Sequence, residues 1–432
     1  MLKKLKGNSF LAGSAVYLIS NILNAAIPFA LLPVLTRYLS PEEYGEVAMF
    51  HVFFGALTAF IGLSMQGAAG RKFYDGDLGE NELKEFIGSC LQILLVTSAL
   101  TMLVLIGISG YLSEWLALDK KWILLAVLVT ASTVVFQIRL SQWQVRKKAK
   151  QYGVMQVSKS LAELVLSLAL VVLFLKGSEG RISAQIWTAI LFAGIAFWFL
   201  RRDDLVRILL WRPKYIREAL SFGVPLIPHV GGAFLLASVD RFVINAELGL
   251  AQAGIYMVAV QLSTALLLIF DAINKAYVPW LFERLKKDDE CEKRRIVIYT
   301  YCWFALLLLG AVVAFLIAPW IVLAVAGEPY ASAGDVIGWL ILGQVFGGMY
   351  LMVTNYIFFS KRTGLLSVVS IFSGLINVAL LIFLVARFGL QGAAYAFCTS
   401  MAIRFLLTWF VAQKRHAMPW FEFTKLFPQA GI

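Results

Sequence analysis

Apolar residues come in long runs separated by short charged segments, at approximately 10–35, 45–66, 86–110, 122–142, 153–175, 183–200, 220–244, 254–275, 296–318, 335–358, 364–386 and 391–412. Each run is close to the ~20 residues that an α-helix needs to cross a ~30 Å hydrocarbon layer. The pattern predicts twelve transmembrane helices in an all-α polytopic membrane protein. The alternation of a membrane β-strand is absent from these segments. The first run follows "MLKKLK" but is too long for a signal-peptide core and is followed by more spans, so it predicts an uncleaved helix.

The pattern also repeats. Leu39-Ser-Pro-Glu-Glu-Tyr-Gly45 and Leu248-Gly-Leu-Ala-Gln-Ala-Gly254 each stand between two runs, and Gly153 and Gly364 each open a later one, all at an offset near 210 residues. An even number of spans separates the halves, which predicts two parallel six-helix repeats, a transporter signature with the substrate path between the lobes. The expected organisation is an N-terminal lobe over 1–205, an amphipathic linker over 206–219, a C-terminal lobe over 220–412 and an interfacial tail over 413–432. The linker mixes Arg and Lys with Ile208, Leu209, Leu210 and Trp211, which suits the headgroup region of an inner membrane surface. The lobes are expected to rock about it.

Composition agrees with this division: 60% of residues are hydrophobic and 15% charged, with a mean hydropathy of +0.80. The chain carries a net charge of +12, but the basic residues fall between the apolar runs. With the N-terminus inside, about 27 of the 38 Lys and Arg lie on the cytoplasmic side and about 7 opposite, which places both termini in the cytoplasm. The charge therefore reports topology and contact with anionic lipid, and nucleic acid is not an expected partner. Cys90, Cys291, Cys302 and Cys398 have neither disulfide-framework nor metal-site spacing, so no metal or other cofactor is expected. The outer loops are short, which leaves no room for an aqueous catalytic domain.

Polar residues inside the spans carry the functional signal, because an ionised group at mid-bilayer costs about 2.5–3.5 kcal/mol on insertion scales. Gln156, Lys159, Ser160, Glu163 and Ser167 recur at helical spacing in the fifth span. Similar stripes occur in the first (Ser14, Tyr17, Asn21, Asn24), the second (His51, Thr58, Gln66) and the eleventh (Ser367, Ser370, Asn377). Such stripes serve either as helix-packing glue or as the lining of a wet cavity. Lys159 and Glu163, and again Asp271 and Lys275, stand at i, i+4, as structural bridges or substrate contacts. Arg404 has no acid within four residues, whereas Arg139 lies near a span end from which it could snorkel. The cationic bias of these spans favours a phosphate-bearing passenger. Pro225 and Pro228, followed by Gly231 and Gly232, predict a bend or break in the seventh span, and Gly343 with Gly347 predicts close helix packing. Asp240 and Arg241, at the outer end of the seventh span, are expected to act as a gate or as an interfacial anchor.

The stretches "IPFALLPVLTRYLSPEEYGEVAMF", "SFGVPLIPHVGG" and "SVDRFVINAELGLAQAGIYMVAVQL" resemble the polysaccharide transport branch of the multidrug/oligosaccharidyl-lipid/polysaccharide (MOP) exporter superfamily, in particular the Wzx-type O-antigen flippases. The resemblance covers essentially the whole chain. It implies a V-shaped, MATE-like, two-lobed bundle in the bacterial inner membrane. Such a protein moves an undecaprenyl-diphosphate-linked oligosaccharide to the outer leaflet and works beside polysaccharide polymerase and chain-length machinery. It also implies a cationic cavity for the diphosphate, a role carried here to Arg139, Lys159, Lys275 and Arg404. Glu163 and Asp271 are the carboxylates to test for ion coupling, and Pro225 and Pro228 with Asp240 and Arg241 are hinge and gate candidates. Lipid II flippases carry two further C-terminal helices, and ending after twelve spans argues against that cargo. The alternatives are a cation-coupled multidrug exporter on the same fold, which would want an acidic lining, and a membrane polymerase or ligase, which would want a large catalytic outer loop. No enzymatic activity is expected.

Overall fold

The computed structural model describes residues 2–75, 79–360 and 364–420, and among these all regular structure is helical. The helices are α1 (Leu2–Tyr38), α2 (Pro41–Leu57), α3 (Met65–Lys72), α4 (Glu80–Leu116), α5 (Lys120–Val145), α6 (Ala149–Leu168), α7 (Gly177–Arg202), α8 (Pro213–Gly223), α9 (Ile227–Ala237), α10 (Val239–Leu248), α11 (Leu250–Leu285), α12 (Glu290–Ala326), α13 (Gly334–Phe359) and α14 (Gly364–Arg415). Among the described residues, ten stretches are helical, long and apolar enough to cross a membrane. They reconcile with twelve apolar runs because α2 has only 17 residues and α14 is two helices joined at Gly389, whose φ of 57° breaks the helical course. Leu103, Val104, Leu309 and Leu316 are among many large apolar side chains left exposed on α4 and α12, as lipid-facing helices require.

The duplication is visible in the elements themselves. Helices α4 and α12 both have 37 residues and start 210 positions apart, and α5 and α13 both have 26. The repeats differ in their second span. Ser40 and Glu43 form a capping box that starts α2 at Pro41, but after Leu57 the chain leaves the helix for a turn in which Gly62 has φ of +74° and gives its amide to Thr97. The turn separates His51 on α2 from Gln66 on α3, so the second-span polar stripe is not one continuous helix face. Its counterpart α11 runs unbroken through Pro279.

The seventh span breaks where its prolines predict. α8 ends at Gly223, a single 3₁₀ turn over Val224–Leu226 contains Pro225, and α9 begins immediately before Pro228. The Gly343 and Gly347 surface packs closely as expected: a Cβ at Gly343 would stand 2.6 Å from the Phe397 ring on α14, and one at Gly347 3.0 Å from Met401.

Two compact units result. Unit 1 comprises 1–234 and 248–254, and unit 2 comprises 235–247 and 255–432. The expected linker sits inside unit 1 because it is tied to α4. The Arg207 amide donates to the Lys84 carbonyl at 3.1 Å, Gln92 Nε2 donates to the Ile208 and Leu210 carbonyls, and Arg212 pairs with Glu85 at 2.9 Å. Gly88 makes this approach possible, since a Cβ there would lie 2.1 Å from the Arg207 oxygen. Leu209 (92% exposed) and Trp211 project from the strap, as an interfacial segment would present them.

The start of the expected tail is also core. The Gln413 side chain receives the Met418 amide at 2.9 Å and donates to its carbonyl at 3.1 Å, turning the chain back so that Trp420 is buried (1% exposed) among Tyr301, Tyr356 and Trp409 in unit 2. The rest of the tail, together with Lys361 and Arg362, lies outside the described residues.

Candidate functional site

In unit 1 the polar stripes of the first and fifth spans face one another. Asn21 Oδ1 receives bonds from Tyr152 at 3.4 Å and Gln156 at 3.3 Å, and Ser160 donates to Asn24. These residues hold α1 against α6, the packing role open to them from the sequence. Unit 2 repeats the pairing in simpler form: Asn377, in the first half of α14, donates to the Leu235 carbonyl of α9 at 3.1 Å.

One turn beyond Ser160 the stripe becomes ionic. Glu163 Oε1 accepts from Arg181 Nη1 at 3.0 Å, and the same nitrogen donates to Ser167 at 2.7 Å. Lys159 Nζ stands 3.7 Å from the other carboxylate oxygen and 5.6 Å from the centre of the Phe136 ring. His51, from α2, is within electrostatic reach of both Glu163 and Arg181. The apolar runs place Arg181 between the fifth and sixth spans, but α7 begins at Gly177 and buries it. The usable signal is Gly177 and Gly180, since a Cβ at Gly177 would stand 2.0 Å from the Glu43 carboxylate and one at Gly180 3.1 Å from the Leu170 backbone, so the two glycines let α7 start early against its neighbours. Nearby, Ser178 donates to Glu46.

The four nominated cations fall into different settings. Arg139 is 1% exposed, ion-paired to Asp203 and stacked 4.1 Å from the centre of the Trp143 ring, so it lies in the interior of unit 1 with its charge compensated. Lys159 belongs to the Glu163 cluster. Lys275 and Asp271 form an ion pair of 2.5 Å on α11, with Lys275 63% exposed. Arg404 lies over the Tyr350 ring at 4.0 Å, and among the described residues no carboxylate pairs with it. Ser400 and Thr408 flank it on α14, and the Thr408 hydroxyl donates to the Arg404 carbonyl at 2.7 Å.

Asp240 and Arg241 form a local pair in α10. The Arg241 guanidinium donates to Asp240 Oδ1 at 2.7 Å and to the Ala237 carbonyl, 6.0 Å from the centre of the Tyr256 ring. Both side chains are buried within unit 2 and close the gap between α9 and α10. Among the described residues, no group of three or more His, Cys, Asp and Glu side chains could hold a metal ion.

Helices this long and apolar define a multi-pass membrane protein, and within its spans ion pairs such as Arg181–Glu163 are enclosed. The fold is shared with solved transporters of the MOP superfamily. The lipid II flippase MurJ in an inward closed conformation superimposes with a TM-score of 0.72 at 15% identity, over 93% of this chain and 87% of that one. An inward-facing multidrug resistance MATE transporter of the MOP superfamily gives 0.65 at 16% identity, over 90% and 94%. Among sequences, Lsg locus protein 1 of Haemophilus influenzae is 26% identical over 85% of this chain and 90% of its own length. A second Haemophilus influenzae membrane protein is 27% identical over 86% and 90%. The profile described as "Polysaccharide biosynthesis protein" matches residues 10–285, and the chain belongs to that family.

Proposed function

We propose that the protein is an alternating-access flippase that carries an undecaprenyl-diphosphate-linked oligosaccharide, an O-antigen or other surface-polysaccharide repeat unit, from the cytoplasmic to the outer leaflet of the bacterial inner membrane. Membership of a polysaccharide biosynthesis family supports the cargo class, and the fold shared with MurJ supports the mode of action. The observation that carries the reading is Arg404: a guanidinium inside a span, held by an aromatic face and lacking a carboxylate partner among the described residues, is an anion receptor. Lys159 and Lys275 supply further charge, whereas Arg139, sealed against Asp203, supports unit 1. The polar side chains shelter the sugar-diphosphate, the polyprenyl tail stays in lipid, and no bond is made or broken. Asp271, half exposed, is the carboxylate better placed to take up a coupling ion, because Glu163 is already enclosed by two cations.

A strain lacking this chain is expected to retain lipid-linked repeat units on the cytoplasmic leaflet. The assay is leaflet-resolved labelling of those units in spheroplasts and inverted vesicles. Outward delivery at the normal rate in the deletion strain would sink the proposal. The fold likeness to a MATE transporter supports a second reading, export of cationic drugs, which predicts drug sensitivity of the same strain without retained lipid-linked sugar.

A further inference from the structure

The two cations around Glu163 are not equivalent. Arg181 is within hydrogen-bonding distance of the carboxylate at 3.0 Å, has a second bond to Ser167 at 2.7 Å, and its side chain is 8% exposed. Lys159 is 3.7 Å from Glu163, beyond hydrogen-bonding distance; among the described residues it makes no hydrogen bond, and its side chain is 22% exposed. One is a fixed counter-ion, and the other is an ammonium with three unused donors on a flexible stem.

We propose that Glu163 is an internal competitor that holds Lys159 back from the anionic headgroup of the cargo, and that Arg181 is the positioning residue that lets Glu163 release it. This rests on the diphosphate-cargo reading above and assigns that site its affinity control. When a diphosphate oxygen approaches, Lys159 exchanges a long ion pair for hydrogen bonds to phosphate. Glu163 keeps Arg181, so no buried carboxylate is left without a cation, a state that would be strongly unfavourable. Without Arg181, the carboxylate would need Lys159 for itself and the exchange would be blocked. Affinity is thereby lowered at the cation of this cluster that is free to change partner, which favours release of the cargo after translocation.

The test measures binding of farnesyl diphosphate, a short polyprenyl diphosphate, to the purified full-length protein in detergent, with farnesol as the neutral control. E163Q is expected to bind about two- to fivefold more tightly than the parent, the worth of a long, partly exposed ion pair. K159A is expected to bind more weakly, and K159A/E163Q to match K159A with the gain gone. R181Q is expected to weaken binding although Arg181 does not touch the ligand, R181K to restore it, and R181Q/E163Q to recover tight binding; a merely structural arginine would not give this pattern. E163D, which keeps a partner for Arg181 but draws the carboxylate away from Lys159, is the second variant should E163Q fold poorly, and it too should bind more tightly. If the parent binds farnesyl diphosphate in preference to farnesol but E163Q and E163D do not gain, or the gain survives K159A, the competitor role is wrong and the cargo reading stands. If the parent does not distinguish the two probes, the cargo reading itself fails.

Discussion

Gly45 and Gly254, equivalent positions of the two repeats, meet within unit 1 in a reciprocal contact. A Cβ on Gly45 would stand 2.1 Å from the Leu250 oxygen, and one on Gly254 would stand 2.0 Å from the Pro41 oxygen. Pro41 and Leu250 are themselves repeat equivalents, so each helix start uses its first-turn carbonyl to seat the glycine of the other. This explains why the start of α11 belongs to unit 1. Adding a methyl group at either position must push the two helices apart. Gly45→Ala and Gly254→Ala are each expected to destabilise the protein by about 1–3 kcal/mol, with the double variant well short of additive because both relieve the same contact. Thermal unfolding in detergent checks both points.

Arg139 and Asp203 give a second expectation. Asp203→Asn leaves a guanidinium that is 1% exposed without its counter-ion and should cost about 3 kcal/mol. Replacing both partners by apolar residues of similar size should recover most of that loss. The same unfolding experiment reads the cycle, and an Asp203→Asn protein as stable as the parent would show that the pair is dispensable.

Arg404 should behave in the opposite way. Because it has no carboxylate to leave behind among the described residues, Arg404→Gln is expected to keep or raise the melting temperature while transport falls about 10- to 100-fold, the worth of one charge-assisted contact. Arg404→Lys should fall between the two, since it retains the charge but loses the planar fork over Tyr350. Leaflet-resolved labelling of lipid-linked repeat units, with a melting curve for each variant, separates function from fold.

The strap over α4 can be detached from below. Gly88→Ala places a methyl group against the Arg207 carbonyl and should speed amide exchange across residues 205–212 while leaving α4 itself protected. Acid should act in the same direction through Asp204. The hydrogen bond from Lys84, reinforced by the Lys84 charge, holds the Asp204 carboxyl below its ordinary value of 3.8. The contribution of this pair is therefore present above about pH 4 and lost as pH falls through the depressed value. Hydrogen exchange at two pH values checks it, and a strap equally protected at both would remove Lys84 and Asp204 from the account.

The sequence by itself determined everything that depends on partition and local backbone chemistry. Run lengths set the spans, Pro225 set the seventh-span break, Gly343 set a close helix approach, and the offset near 210 set the duplication, because each needs only a residue's own transfer energy or its immediate neighbours. Tertiary structure decided the partners. Spacing put Lys159 and Glu163 on one face of α6, but only the packing of α7 against it supplied Arg181, 18 residues from Glu163 and hidden in a span that begins earlier than its hydropathy suggests. In the same way, Asn21 and Asn24 were legible as a polar stripe, yet whether that stripe meets water or Gln156 and Ser160 depends on how α1 is rotated against α6. Periodicity fixes which residues share a face. What that face touches is a long-range choice made by the order and rotation of the helices, and no local pattern in the chain encodes it.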